Sequence, residues 1–283
     1  MNLENKICLV TGANSGIGKE TAKSFAEMGA YVIMLCRNEE RAKRARQDII
    51  DQTGNSGVDI ILADLAHQYD IREAAKKFND KFDALDVLVN NAGIIATQRE
   101  ETPEGIEKTF AINHLGPFLL TNLLMDALKN AAHARIVNVA SEVHRLGAPV
   151  FNIDNLQLKS GYSPMKAYGV SKLCNIMFTH ELAGRLNNSS VTANALHPGV
   201  VGTSLANDAS WWLKLTYILG KPFMRSPKSG AQTSIYLAAS DNVEGVSGQY
   251  FKNKKMTQPA KIAFEDEMTK QLWEKSEALT GLS

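Results

Sequence analysis

The segment Val10–Glu20, "VTGANSGIGKE", joins a short apolar run to a helical pattern and decides the fold. Its glycines, Gly12, Gly16 and Gly18, do not match the common dinucleotide pattern G-x-G-x-x-G. Glycines nevertheless let the backbone turn tightly and come close to a pyrophosphate. The N-terminus of the helix that follows would supply amide donors and the positive end of its dipole. We therefore predict a phosphate-binding loop here, in preference to a glycine-rich turn without a ligand.

Apolar runs and helical patterns alternate along the whole chain. The apolar runs predict strands at Ile7–Thr11, Tyr31–Cys36, Val58–Ala63, Val87–Asn90, Arg135–Ala140 and Val191–Leu196. The helical patterns lie at about Gly16–Met28, Asn38–Gln52, Ile71–Phe82, Pro103–Lys129, Pro164–Leu186 and Pro227–Ala239. Continuous Val, Ile and Leu runs are typical of parallel strands buried on both faces, which right-handed crossovers connect. The pattern predicts an α/β class, single-domain Rossmann fold over residues 1–283, a doubly wound parallel sheet of about seven strands with helices on both faces.

Composition excludes several classes of function. The chain has 283 residues, of which 44% are hydrophobic and 22% are charged, with a net charge of +1. That balance gives no basic surface for nucleic acid, and the six histidines lack the spacing of a metal site. The three cysteines, Cys8, Cys36 and Cys174, lie in apolar contexts and indicate reduced thiols. We find no signal peptide or apolar membrane span and expect a cytoplasmic protein.

The end of the second predicted strand, "MLCRN", indicates which dinucleotide the loop would accept. Cys36 stands about where a carboxylate would hold a ribose 2′-hydroxyl, and Arg37 follows it. A guanidinium suits a 2′-phosphate by its charge and by its fork of donors. The sequence therefore predicts NADP(H) as cofactor in preference to NAD, with a solvated surface Arg37 as the alternative.

Five motifs, in order along the chain, carry a family resemblance. They are "TGANSGIG" (Thr11–Gly18), "NNAG" (Asn90–Gly93), "IVNVAS" ending in Ser141, "YGVSK" (Tyr168–Lys172) and "HPGVVGT" (His197–Thr203). The chain resembles the short-chain dehydrogenases/reductases over nearly its whole length. The segments "CRN", "INHLGPFLL" and "KLCNIMFTHELAGRL" resemble the retinol dehydrogenase-like branch more closely. That branch prefers NADP and acts on hydrophobic alcohols and carbonyls, including retinoids.

The resemblance implies two sets of site residues. The catalytic set is Asn113, Ser141, Tyr168 and Lys172. The cofactor-binding set is Gly12, Ser15, Gly16, Ile17, Gly18, Arg37, Asn38, Asp64, Leu65, Asn91, Ala92, Gly93, Tyr168, Lys172, Pro198, Gly199, Val201 and Thr203. By the same resemblance, Asp64 and Leu65 border the adenine, and Asn113 holds a proton-relay water near the lysine.

Tyr168 and Lys172 can be understood chemically once the other motifs are in place. A free tyrosine has a pKa of about 10, which is too high for a good base at neutral pH. Residues four apart share a helix face, so Lys172 can lie beside the phenol and favour its ionised form. Ser141 can donate to the substrate oxygen. An isolated Tyr/Lys pair is usually structural. Here the pair belongs to the set Asn113, Ser141, Tyr168 and Lys172, which follows a cofactor loop along the chain, and this favours a catalytic role.

Two irregular segments, Glu142–Ser163 and Pro198–Ser226, follow carboxyl ends of strands, where ligands bind in such sheets. Within residues 198–227, the apolar stretch Asn207–Pro227 contains Trp211 and Trp212. This stretch indicates a lid that covers the substrate, and its apolar side chains favour a hydrophobic substrate. A peripheral membrane contact through this lid, and a small helical cover or oligomer contact, remain open.

The residues together predict an NADP-dependent oxidoreductase that interconverts a hydrophobic alcohol and its aldehyde or ketone, as a retinol dehydrogenase or carbonyl reductase does. Tyr168 would be the acid and base. The alternative is a non-catalytic NADP-binding redox sensor, which would be expected to lack one of the four catalytic residues. In this family the helices corresponding to Pro103–Lys129 and Pro164–Leu186 often form the interface of a homodimer, and the sequence leaves that assembly open.

Overall fold

The computed structural model describes residues 2–201 and 225–282, and within them a single α/β domain is built on an eight-stranded sheet. The strands are β1 Ile7–Thr11, β2 Tyr31–Cys36, β3 Val58–Leu62, β4 Val87–Asn90, β5 Arg135–Val139, β6 Thr192–His197, β7 Tyr250–Lys252 and β8 Lys255–Met256. Their order is β3-β2-β1-β4-β5-β6-β7-β8. All pairings are parallel except the last, between β7 and β8.

The predicted doubly wound parallel sheet is confirmed. All six strands predicted from apolar runs are present, and their ends agree to within one residue. The prediction missed β7 and β8, which have three and two residues and form no apolar run of their own. Strand β7 is positioned by its pairing with β6, and this is a tertiary effect that local sequence does not encode.

Helices cover both faces of the sheet. They are α1 Gly16–Glu27, α2 Glu39–Thr53, α3 Gln68–Asn79, α4 Lys108–Phe110, α5 Gly116–Leu123, α6 Met125–Asn130, α7 His144–Gly147, α8 Pro164–Arg185, α9 Pro227–Ala239 and α10 Asp266–Thr280. Alternate strand residues point to opposite faces: Leu9 and Ile33 belong to one core cluster, and Cys8 and Val32 belong to the other. No helix in the two described ranges is long and apolar enough to cross a membrane.

The helix predicted over Pro103–Lys129 is interrupted. A π-helical turn, Ala111–Leu115, separates α4 from α5, and the N–H of Gly116 donates to the carbonyl of Ala111. Pro117 has no N–H to donate and its ring crowds the carbonyl four residues earlier, which belongs to Asn113. The prediction of one continuous helix was therefore wrong, and the interruption falls on a predicted catalytic residue.

The C-terminal helix α10 is held by an aromatic cluster. The ring of Trp273 lies 4.9 Å from that of Phe118 on α5 and 5.8 Å from that of Phe178 on α8, measured between centroids. The guanidinium of Arg185 lies 4.2 Å from the centre of the same indole. The face of α5 and α8 that carries these phenylalanines is therefore covered by the chain's own C-terminal helix.

Helices α7 and α8 meet through glycines. A Cβ placed on Gly169 of α8 would lie 2.8 Å from the amide nitrogen of Gly147 and 2.9 Å from the carbonyl oxygen of Val143. Both neighbours are backbone atoms, which cannot rotate away as the end of a side chain can. This approach brings the segment after β5 directly against the helix that carries Tyr168.

We predict opposite effects for two identical substitutions on α8. Gly169→Ala should lower the free energy of unfolding by about 1–3 kcal/mol, because the added methyl group overpacks the contact with α7. Gly184→Ala, which meets nothing within 4 Å, should raise it by about 0.5–1 kcal/mol through helix propensity. Urea unfolding followed by circular dichroism measures both, and a stabilising Gly169→Ala would contradict the packing.

Candidate active site

A cleft of about 570 Å³ opens at the carboxyl ends of the central strands. It lies where the strand order reverses between β1 and β4, the position at which ligands bind in open α/β sheets. Most of the predicted site residues line it: Gly12, Ser15, Gly16, Ile17, Gly18, Arg37, Asn38, Asp64, Leu65, Asn91, Ala92, Gly93, Ser141, Tyr168, Lys172, Pro198, Gly199 and Val201. The fold thus brings motifs from the whole chain to one cavity.

The glycine loop follows β1 and is packed against the end of β4. Gly12 has φ +67° and donates its N–H to the carbonyl of Leu35 at 2.8 Å. A Cβ on Gly18 would clash with the carbonyl of Gly12 and with the amide of Asn91. The loop therefore needs glycine at both positions, for a left-handed turn in the first case and for close packing in the second.

Thr11 and Asn91 join the loop to β4. The hydroxyl of Thr11 accepts the backbone N–H groups of Asn91 and Ala92, both at 2.9 Å. The side-chain amide of Asn91 donates to the carbonyl of Thr11 at 2.8 Å. Asn91 therefore braces the loop as well as lining the cleft.

The start of α1 forms the floor of the phosphate region. Ser15 is the N-cap of α1, with extended backbone, and within the described residues its side chain makes no capping bond. The first turn contains no acidic residue. The free amide donors of the helix, its positive dipole end and the nearby glycines fit a dinucleotide pyrophosphate.

Two cations, one directly after β2 and one at the start of α2, line the same cleft. Arg37 lies 3.4 Å from the carboxylate of Asp64, and its side chain is 66% exposed, so it remains accessible to a ligand. Arg41, on the first turn of α2, also lines the cleft. The prediction missed Arg41; its spacing of four residues from Arg37, close to a helix start, was the available signal. Cys36 lines the cleft as well, and burial raises the pKa of its thiol to about 11, so it is neutral there.

Tyr168 and Ser141 are neighbours in the lining of the cleft. Tyr168 is buried, and burial raises the pKa of its phenol to about 12, while the interaction with the Ser141 hydroxyl acts to lower that pKa. The Ser141 oxygen accepts the N–H of Val143 at 3.2 Å, which leaves its own proton for another acceptor. In the structure the phenol is therefore protonated at neutral pH.

Lys172 lies on the same face of α8 but does not touch the phenol oxygen directly. Its ammonium donates to the carbonyl of Val139 at 2.8 Å and lies 5.6 Å from the centre of the Tyr168 ring. Burial lowers the pKa of Lys172 to about 8. In the chain taken alone, burial rather than this cation sets the direction of the Tyr168 pKa shift.

Asn113 lies behind the cleft wall and is completely buried. Its side-chain oxygen accepts the N–H of Ile94 at 2.8 Å, and its amide donates to the carbonyl of Ile94 at 2.9 Å and to the hydroxyl of Ser171 at 3.0 Å. A Cβ on Gly93 would lie 3.3 Å from both Asn113 Oδ1 and Lys172 Nζ. Asn113 and Lys172 therefore flank Gly93, and the side chain of Asn113 is used to hold the loop after β4.

Most of the predicted lid, residues 202–224 of 198–227, and one predicted cofactor residue fall outside the described residues. Thr203, Trp211 and Trp212 belong to residues 202–224, so their placement stays a prediction. The cleft also has lining residues that sequence reasoning did not identify, among them Ile94, Ile95, Ala96, Thr97, Glu100, Lys108 and Ile112. They follow β4 in a loop and a broken helix, where no periodic pattern marks them.

Comparison with known proteins agrees with this geometry. The family model for short chain dehydrogenase matches residues 6–214. Human retinol dehydrogenase 13 is 42% identical over 99% of this chain and 86% of its own length, and human polyprenol dehydrogenase is 39% identical over 98% and 86%. A short chain dehydrogenase from Escherichia coli CFT073, solved in complex with NADPH, is similar with a TM-score of 0.69 and 25% identity, covering 90% of this chain and 99% of that one.

The match extends over most of the chain, and the relatives are similar along nearly its full length. The motif order, the parallel sheet with its reversal between β1 and β4, and the cleft there agree with that match. The protein belongs to the short chain dehydrogenase family and is an oxidoreductase that acts on CH–OH groups.

Proposed function

We propose that this protein is an NADP-dependent oxidoreductase that interconverts a hydrophobic alcohol and its aldehyde or ketone. The observation that carries the proposal is the single cleft that joins the glycine loop to Ser141, Tyr168 and Lys172. The relatives' names refer to retinol and polyprenol, both hydrophobic alcohols. The apolar side chains of Ile94, Ile95 and Ala96 in the cleft wall suit a substrate of that class.

The chain's own residues would manage the substrate oxygen and its proton. A bound nicotinamide cofactor supplies or accepts the hydride. In the reducing direction, the protonated phenol of Tyr168 donates to the carbonyl oxygen as charge develops there. The hydroxyl of Ser141, turned outward by the N–H of Val143, donates a second hydrogen bond to the same oxygen.

Lys172 would act in two ways. Its ammonium, held by Val139, can donate to a hydroxyl of the nicotinamide ribose and keeps a positive charge near the phenol. In the oxidising direction the phenol must first lose its proton, and that charge favours the phenolate. Since burial alone raises the tyrosine pKa, oxidation would depend on Lys172 and on the positive charge of an oxidised nicotinamide.

Arg37 and Arg41 would select the cofactor. Two guanidinium groups at the end of β2, and a neutral Cys36 where a carboxylate would bind a 2′-hydroxyl, suit a 2′-phosphate. The carboxylate of Asp64 now pairs with Arg37, and a phosphate can compete for that guanidinium because the Arg37 side chain is largely exposed.

The first prediction concerns Tyr168. Tyr168→Phe should leave the Kd for NADPH within about twofold and lower turnover by about 10²–10⁴-fold, because it removes the transferable proton and little else. NADPH absorbance with a panel of carbonyls that includes all-trans-retinal measures the turnover. The control is Tyr69→Phe, which removes an exposed hydroxyl of α3 that lies outside the cleft.

Near-normal turnover by Tyr168→Phe would contradict the mechanism. If the unmodified protein binds NADPH tightly and turns over no carbonyl or alcohol of the panel, the sensor function would be favoured.

The second prediction concerns pH. The pKa of Tyr168 is raised, so the protonated form is complete at neutral pH and the phenolate fraction grows with pH. The kcat for oxidation should therefore rise with pH, approaching about tenfold per pH unit between about pH 6 and pH 7, where Lys172 keeps its charge, while kcat for reduction should stay nearly level. Stopped-flow measurement of both directions at saturating cofactor tests this, and an oxidation rate independent of pH would contradict it.

The third prediction concerns cofactor choice. Arg37→Ala should lower kcat/KM for NADPH by about 10–100-fold and leave that for NADH unchanged, because only the 2′-phosphate contact is lost. Arg41→Ala should act in the same direction, and Arg44→Ala, an exposed residue of α2 outside the cleft, is the matched control. A ratio near one between the two cofactors in the unmodified protein would contradict the assignment.

A further inference from the structure

We propose that His144 is a positioning residue for Ser141 in the reaction proposed above, on which this inference rests. His144 follows Ser141 by three residues, begins α7 and is completely buried. It does not line the cleft and cannot touch a substrate there. Its effect on the reaction therefore has to pass through the backbone of Ser141.

The two ring nitrogens of His144 have backbone partners on opposite sides. Nδ1 lies 2.6 Å from the carbonyl oxygen of Ser141, and Nε2 lies 3.0 Å from the amide nitrogen of Ala260. A backbone N–H can only donate and a carbonyl can only accept, so the partners define the proton position. The ring is therefore neutral with its proton on Nδ1, and this N–H donates a hydrogen bond to the carbonyl of Ser141. Burial lowers the pKa of His144, in agreement with a neutral ring.

The ring of His144 is fixed by its neighbours. It packs edge-on against Tyr250 of β7, at 5.2 Å between centroids, and the Tyr250 hydroxyl donates to Glu142 at 2.9 Å. On the other side of the turn, the N–H of Glu142 donates to Nδ1 of His197 at 3.3 Å. The guanidinium of Arg145 donates to the carbonyl of Gln258 at 2.6 Å. The turn after Ser141 is thus tied to His197 and to residues between Tyr250 and Ala260, which lie 55 to 116 positions later in the chain.

The same turn affects the positions of both Ser141 and Tyr168, the two side chains that would bind the substrate oxygen. The Ser141 hydroxyl is oriented by the N–H of Val143, so its direction depends on the turn that His144 holds. Three residues after His144, Gly147 packs on the backbone of Gly169, next to Tyr168. His144 therefore anchors a segment that sets Ser141 relative to the phenol.

Two substitutions separate the two hydrogen bonds. The amide nitrogen of an asparagine can occupy the place of Nδ1, so His144→Asn can keep the bond to Ser141 and lose the bond to Ala260. The longer His144→Gln can keep the bond to Ala260 and lose the bond to Ser141. A residue that only stabilises the fold should respond to both changes in proportion to the lost stability.

We expect His144→Asn to keep kcat within about threefold, and His144→Gln to lower kcat by about 10–100-fold, the effect of misplacing one donor. The KM and the Kd for NADPH should change little in either variant. The measurements use NADPH and the best carbonyl of the panel, with melting temperatures recorded for all proteins. In a Ser141→Ala background, His144→Gln should cause no further loss, because the hydroxyl that His144 positions is gone.

Two outcomes would overturn the proposal. One is an equal loss of kcat in both variants, in proportion to their melting temperatures. The other is an additive loss in the double variant. An unmodified protein without turnover would contradict the proposed function first and this role with it. Nitrogen-15 NMR of the histidine rings, with His144→Gln for assignment, requires no substrate. A neutral ring with its proton on Nδ1 at neutral pH is expected, and a charged ring or a proton on Nε2 would overturn the geometry.

Discussion

The close approach between the glycine loop after β1 and the start of the loop after β4 is the constraint on which the rest of the site depends. A side chain at Gly18 would collide with the carbonyl of Gly12 and the amide of Asn91, and Thr11 bonds across the same junction. The crevice forms here because the chain leaves β1 and β4 in opposite directions along the sheet. The other groups of the cleft are arranged around this junction. The N-terminus of α1 and the arginines that follow β2 lie in the cleft lining, and the segment after β5 and helix α8 contribute the hydroxyl groups of Ser141 and Tyr168.

Burial dominates the electrostatics of the proposed catalytic pair. Tyr168 and Lys172 lie in the same wall, and their pKa values move in opposite directions, upward for the phenol and downward for the ammonium. Both shifts favour the neutral form, as desolvation requires. The ammonium is bound to a carbonyl and lies 5.6 Å from the ring centre, so its charge does not compensate for the burial of the phenol. The chain alone therefore holds a proton donor, and a positive charge supplied at the cleft would be needed to make it a base.

Sequence reasoning succeeded where local pattern and tertiary structure agree. Parallel strands buried on both faces read as continuous apolar runs, so the ends of β1, β2 and β4 were predicted to the residue. It failed at one local signal and where the cause is remote. The prediction overlooked that Pro117 interrupts the α-helical hydrogen bonds at Asn113. It also missed β7, whose position depends on its pairing with β6. The cleft could be assembled from five motifs, whereas Arg41 and the partners of His144 follow from contacts between segments far apart in the chain.

The long segment between Ser141 and Tyr168 has a structural consequence that its length alone does not reveal. The hydroxyl of Tyr162 donates to the carbonyls of Ala96 and Gln98, and the guanidinium of Arg99 donates to the carbonyl of Gln157. These bonds tie the segment to the loop after β4, whose residues line the cleft. At its other end the segment is fixed by His144 and by the contact of Gly147 with α8. Since the segment is held at both ends, it supports the part of the cleft wall that carries the apolar side chains of Ile94, Ile95 and Ala96. Selection of a hydrophobic substrate would therefore begin at this part of the cleft wall.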